Sequence, residues 1–182
     1  IIYLKKEEKT FMDSKEFGLV AAQQLFQIED LHYGFWELDE AIDLSNWKAA
    51  QEKYTDFLFK HIKKNIKDKK ESKLLDIGCG VGMTTSKLLK MGYKVDGLVP
   101  SAWMAKYSRK AIEKYKSNEF GEIYECIFEN FPTSNLEQKY QLLFFSESFQ
   151  YVNMKKSFNI INKIIKDDGC IIIFDFFKKD DV

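Results

Sequence analysis

Along the chain the hydrophobic positions first recur every three to four residues, then change after residue 72 to short, nearly continuous apolar runs. The first regime predicts helices. Phe17, Val20, Ala21, Leu25 and Ile28 share one helical face behind Asp13 or Ser14 as N-cap. A second helix is predicted behind Ser45, with Trp47, Ala50, Tyr54, Phe57, Leu58 and Ile62 facing inward and His61 at the border of that face. Between the two, residues 31–36 (LHYGFW) form an aromatic loop around a glycine, a hydrophobic hinge between helices. The run 63–73 is basic and polar, as expected of a solvated helix end and linker.

From Lys73 onward, strand and helix alternate, which predicts a parallel sheet covered on both faces. Strands are expected at Lys73–Ile77, 94–99, near 121–127, Tyr140–Ser146 and 170–177. Helices are expected over 83–91, over 101–116 with Ser101 as cap, and over 155–166 with Phe158, Ile161, Ile164 and Ile165 inward. The organisation is a helical cap over residues 1–70 and an α/β core over 71–182, together one structural domain.

Composition narrows the function classes. Lys+Arg and Asp+Glu both number 28, so no net field draws the chain to nucleic acid or an acidic membrane. The three cysteines, Cys79, Cys126 and Cys170, are scattered and odd in number, which points to a reducing, cytoplasmic compartment. With two histidines and no Cys-x-x-Cys, no metal site is expected. No apolar run is long enough to span a membrane and no signal peptide opens the chain; its start on Ile1 points to a trimmed N-terminus. Aromatic residues reach 15%, including 16 Phe, so the interior or a pocket is rich in rings.

The chemistry concentrates in residues 73–85, KLLDIGCGVGMTT. A short strand runs into a turn with Gly78, Gly80 and Gly82, and a helix opens at Met83. Glycines let the backbone turn sharply and let a ligand approach it, and the helix start offers unpaired N–H groups. Asp76 adds a fixed negative charge, so a ligand bearing both a cation and a carboxylate suits the place. A tight turn without a ligand is the plain alternative. A dinucleotide fingerprint needs glycine at position 83, which is Met, and a phosphate-binding loop needs a Gly-Lys-Ser/Thr that is missing.

Residues 75–82 resemble motif I of the class I S-adenosylmethionine-dependent methyltransferases, L-D-[IVL]-G-C-G-x-G. Residues 128–132 (FENFP) after the third strand also resemble this family, and further segments resemble its sterol, tocopherol and cyclopropane-fatty-acid type: Gly97, Leu98 and Ser101 after the second strand, Glu147 within 145–151 after the fourth, and Tyr33-Gly34-Phe35-Trp36 before the first. The resemblance implies a Rossmann-like sheet in the order 3-2-1-4-5 with an N-terminal helical lid, and S-adenosyl-L-methionine as cofactor. It places the cofactor against Tyr33, Trp36, Asp76, Gly78, Cys79, Gly80, Gly82 and Thr84, then Val99, Pro100, Ser101, Ile127, Phe128 and Ser146. Val99 stands where many relatives carry the acid that holds the ribose, and Ile127 where they carry an Asp at the adenine; Asp96 points to the wrong side of its strand.

The implied reaction is methyl transfer to a small or lipid-like acceptor, with Glu147 or Tyr151 as base for a hydroxyl, or aromatic rings stabilising the cation that forms on an alkene. The alternative is a methyltransferase-like subunit that no longer catalyses and serves as a partner or scaffold. By the same resemblance the sheet is expected to lack the family's strands six and seven within these residues, and strand five is apolar at almost every position. Its edge is therefore expected to be covered by further polypeptide of the same protein or by a second chain, as in a dimer. Asp175 at its end is expected at an exposed terminus, beside the acceptor pocket at most.

Overall fold

The structure, a computed structural model, describes residues 14–26, 31–37 and 39–176. Two helices come first, α1 (Ser14–Phe26) and α2 (Trp47–Asn65). An alternating series follows: β1 (Lys73–Ile77), α3 (Met83–Lys90), β2 (Lys94–Leu98), α4 (Ala102–Ile112), β3 (Ile123–Tyr124), β4 (Tyr140–Ser146), α5 (Met154–Ile164) and β5 (Ile165–Phe174). The five strands form one sheet in the order β3-β2-β1-β4-β5, and every neighbouring pair is parallel.

Period-two alternation along the strands builds two cores. Leu74, Val95, Leu142 and Phe144 face one side and pack with Leu58 and Ile62 of α2, Leu88 of α3 and Ile112 of α4. Leu75, Ile77, Leu143 and Phe145 face the other side and pack with Ile160, Ile161 and Ile164 of α5, and with Phe128 and Phe131. All five residues of β1 are buried, as expected of a central parallel strand. Asp96 faces the α5 side, away from the carboxyl edge of the sheet, and is fully buried. It accepts from the Tyr140 hydroxyl at 2.8 Å and pairs with Lys73 Nζ at 2.6 Å. Lys73 is therefore a buried ion-pair partner, not the end of a solvated run, and burial pulls its pKa down against the pull of Asp96.

Several boundaries differ from the sequence pattern for local reasons. Asn46, not Ser45, is the N-cap of α2; Asp43 Oδ1 instead collects the Ser45 and Asn46 amides at 2.8 and 3.2 Å. Ser101 does cap α4, its Oγ accepting from Met104 N at 3.3 Å, but the helix ends at Ile112 rather than 116. Phe17 and Leu25 of α1, Phe57 of α2 and Phe158 of α5 are exposed; in α5 the inward positions are Ser157, Ile160, Ile161 and Ile164. β3 is only two residues long.

β5 starts five residues before the expected 170. Tyr140 pairs with Ile165 and Leu142 with Cys170, so the polar residues Lys166 to Gly169 bulge out of the ladder. The other edge of β5 has no neighbouring strand among the described residues, and Ile171 and Ile173 are 39% and 42% exposed. Asp13, Ile28 and Phe177, which the pattern placed in these elements, lie outside the described residues.

Candidate active site

Parallel strands of one sheet end on one side, and there the loops after β1, β2 and β4 surround a cavity of about 460 Å³. Its floor is the glycine turn after β1. Gly78 N and Cys79 N both donate to Leu98 O, at 2.8 and 2.9 Å, which binds the turn to the end of β2. Among the described residues, Gly80 N and Val81 N make no backbone hydrogen bond, and both residues line the cavity.

The three glycines do different work. Gly78, Gly80 and Gly82 all have positive φ, at 86°, 55° and 82°. A Cβ at Gly78 would stand 2.3 Å from Ser148 Cβ, and one at Gly82 would stand 2.4 Å from Ser108 Oγ, so these two let the turn pack on the loop after β4 and on α4. At Gly80 the nearest atom to an added Cβ is Leu31 Cδ1 at 3.5 Å, so the glycine leaves open the space between the turn and segment 31–36. Asp76 is buried at the end of β1, lines the cavity and accepts from Thr85 Oγ1 at 2.7 Å. Burial, then the Asp76 charge, drive the Cys79 thiol far up, so it stays a protonated wall residue and not a nucleophile.

The second acid is Glu147, just past β4. Its side chain is half-buried, and both carboxylate oxygens stand 3.1 Å from Tyr33 N. Burial raises its pKa to about 7; the Tyr33 amide opposes that rise and the negative charge of Asp175 adds to it. Next to it, Ser146 Oγ lies 2.9 Å from Tyr54 OH, and Tyr54 OH donates to Phe174 O at 3.1 Å, tying α2 to β4 and β5. Desolvation lifts the Tyr54 phenol well above its usual range, so it remains a neutral donor.

Most expected site residues meet here. Tyr33, Asp76, Gly78, Cys79, Gly80 and Thr84 line the cavity, as do Val99, Ser146, Glu147 and Tyr151. Six do not. Gly82 is spent on packing against Ser108, Ser101 caps α4, and Phe128 is buried in the α5-side core. Trp36, exposed Pro100 and Ile127, which is 47% exposed, also stand off the wall. The Tyr33 ring is 67% exposed and meets Phe176 edge-on at 5.7 Å, so its main-chain amide, not its hydroxyl, makes the inward contact. Tyr151 is 78% exposed, at the mouth. Asp175 holds Gln150 N and Nε2 at 3.1 and 3.2 Å and does not line the cavity.

His32, Trp47, Met104 and Ser148 line the cavity without having been named as site residues; Trp47 was expected on the inward face of α2. His32 and Ser148 adjoin residues that were so named, so adjacency was a usable signal. Trp47 and Met104 arrive because the N-termini of α2 and α4 reach the same edge of the sheet, which only the packing reveals.

Sheet order and cavity together define a Rossmann-like α/β fold with a ligand cavity at the carboxyl edge of its sheet. The mycolic acid cyclopropane synthetase profile matches residues 34–181, and the chain belongs to that family. No curated protein matches. A geranyl diphosphate methyltransferase in complex with GPP and sinefungin superposes with a TM-score of 0.68 at 18% identity, over 85% of this chain and 59% of that one. Geranyl diphosphate C-methyltransferase from Streptomyces coelicolor A3(2), in complex with Mg2+, geranyl diphosphate and S-adenosyl-L-homocysteine, gives 0.67 at 17%, over 83% and 58%. The [4+2]-cyclase SpnF gives 0.62 at 16%, over 79% and 50%. The chain thus spans about three-fifths of the length of the first two structures and half of the third.

Proposed function

We propose that the cavity binds S-adenosyl-L-methionine and that the protein transfers its methyl group to a small or lipid-like acceptor. The cyclase shows that this fold also carries other reactions, so the reading rests on the site. The observation that carries it is the pairing of an open glycine turn with two acids, Asp76 and Glu147, around one cavity. Its volume suits a small-molecule cofactor. Acids favour a sulfonium and an ammonium; the Gly80 and Val81 amides and the first turn of α3 favour a carboxylate. Val99 and Met104 supply an apolar wall where a ribose-binding acid would otherwise stand.

When bound, the cofactor supplies a methyl group on a cationic sulfur whose departure leaves a neutral thioether. The chain's residues therefore have to align the acceptor and exclude water more than assist the leaving group. Glu147 takes the acceptor's proton: with a pKa near 7 it accepts and releases one close to neutral pH. Tyr151, exposed at the mouth, serves as the alternative base or as a contact for the acceptor.

Residues 1–70 act as a cap on the core in this reading, and the edge of β5 is covered by further polypeptide of the same protein or by a second chain, as in a dimer. Three free thiols favour a cytoplasmic setting, and no described helix is long and apolar enough to cross a membrane.

Titration calorimetry with S-adenosylhomocysteine tests the cofactor reading. One site per chain is expected, and Gly80→Val, which fills the open space with a branched side chain, should weaken binding at least about tenfold. Absence of heat with the wild type, or equal affinity in the variant, would remove the assignment.

A further inference from the structure

Glu147 makes a contact that proton transfer does not require. Its two oxygens reach the amide of Tyr33, a residue 114 positions away in the chain. Tyr33 lies in segment 31–36, which has no regular secondary structure, and Leu31, His32 and Tyr33 line the cavity together with Gly78 and Gly80.

One flank of the segment is fastened to α2. Phe35 N donates to Ala50 O at 2.9 Å, and Gln51 Nε2 donates to His32 O at 2.6 Å. Gly34, at φ +112°, lies so close to the helix that a Cβ there would stand 2.9 Å from Ala50 Cβ. The His32 ring stacks on Tyr54 at 4.2 Å. From the end of β4, the fastening is Glu147 on Tyr33.

The backbone of Glu147 carries a matching peculiarity. Its φ is +53°, the left-handed region that a residue with a side chain rarely adopts, and its own amide is held to Phe174 O at 2.8 Å. Conformations of this kind persist where the surroundings over-determine them, often next to ligand clamps.

We propose that Glu147 is a positioning residue for segment 31–36: its carboxylate clasps the Tyr33 amide and holds the segment over the cofactor cavity, so that cofactor and demethylated product leave only when the clasp opens. This rests on the reading of the cavity as an S-adenosylmethionine site. The clasp needs an acceptor oxygen and not a transferable proton, which separates it from the role of base. A glutamine can still accept from the Tyr33 amide; an alanine or a methionine cannot.

The experiment uses the full chain as wild type, Glu147→Gln, Glu147→Ala and Glu147→Met, the last keeping the side-chain bulk in case the alanine variant does not fold. Two quantities are read: the dissociation rate of S-adenosylhomocysteine by stopped-flow displacement, and hydrogen exchange at the Tyr33 amide. Glu147→Gln, which loses the charge facing the cofactor but keeps an acceptor oxygen, is the reference for release and should keep the amide protected. Glu147→Ala and Glu147→Met should release at least about tenfold faster than Glu147→Gln and lose that protection, as expected for a lost hydrogen bond. Release and protection equal to those of Glu147→Gln in the alanine and methionine variants would overturn the clasp, and so would loss of the protection in the glutamine variant. Failure of the wild type to bind S-adenosylhomocysteine would strike the functional reading instead, while the Tyr33 exchange comparison would still report on the contact.

Discussion

Among single residues, Glu147 has the clearest measurable signature. Its pKa rises from the ordinary 4.5 to about 7 because folding takes the carboxylate partly out of water. The sign follows from linkage: the folded state holds the proton more tightly, so this group's contribution is fully present below pH 4.5 and is lost as pH rises through 7. Solvent still reaches the group, which reduces the loss to about 1–2 kcal/mol. Glu147→Gln, which cannot ionise, should match the wild type near pH 4.5 and exceed it in stability by that amount at pH 8. Denaturant titrations at the two pH values measure this, and equal differences at both would show that the carboxylate is ordinary. The acid's place after the fourth strand was legible from its motif. Its engagement with Tyr33 was not, because hydrogen bonds between residues 114 positions apart leave no local pattern.

For elements, the informative case is the turn joining β1 to α3. Spacing alone marks Gly78, Gly80 and Gly82 as equivalent, yet Gly82 is needed so that the start of α3 can approach Ser108 of α4. Gly92, after α3, supplies the control: its φ is +85°, close to the 82° of Gly82, but an added Cβ meets nothing within 4 Å. Gly92→Ala should therefore cost about 1 kcal/mol, the strain of the left-handed conformation alone. Gly82→Ala adds overpacking against Ser108 and should cost about 2–4 kcal/mol. Chemical denaturation of both variants separates strain from packing, and equal losses would show that α4 moves aside freely. Helix and strand identities were readable because period 3.6 and buried apolar runs are local properties. The shortened α4, the two-residue β3 and the early, bulged start of β5 depend on what each element packs against.

At the largest scale, the described sheet is covered on both faces but has no strand beyond β5 among the described residues. Among the described residues every interior strand has two hydrogen-bonding neighbours, whereas β5 has β4 alone and leaves Ile171 and Ile173 half in water. An apolar edge of this kind is a template for pairing. Sedimentation velocity is expected to show self-association of the wild type at micromolar concentrations. Ile173→Lys should shift it towards monomer while changing stability by less than about 1 kcal/mol, since that side chain is already 42% exposed. A wild-type chain that stays monomeric up to about 100 μM would refute pairing between copies.

By itself the sequence determined the fold class, the strand order through its family resemblance, and the glycine turn with its acid. Each of these is written in contiguous residues: apolar runs, alternation of strand and helix, and the string from Leu75 to Gly82. Tertiary structure alone decided which residues wall the cavity. It brought in Trp47 and Met104 from helix starts, removed Gly82, Ser101 and Phe128 to packing and capping roles, and joined Glu147 to Tyr33. The physical reason is that a parallel sheet gathers loops from distant parts of the chain at one edge, and the side chains that meet there are neighbours in space only.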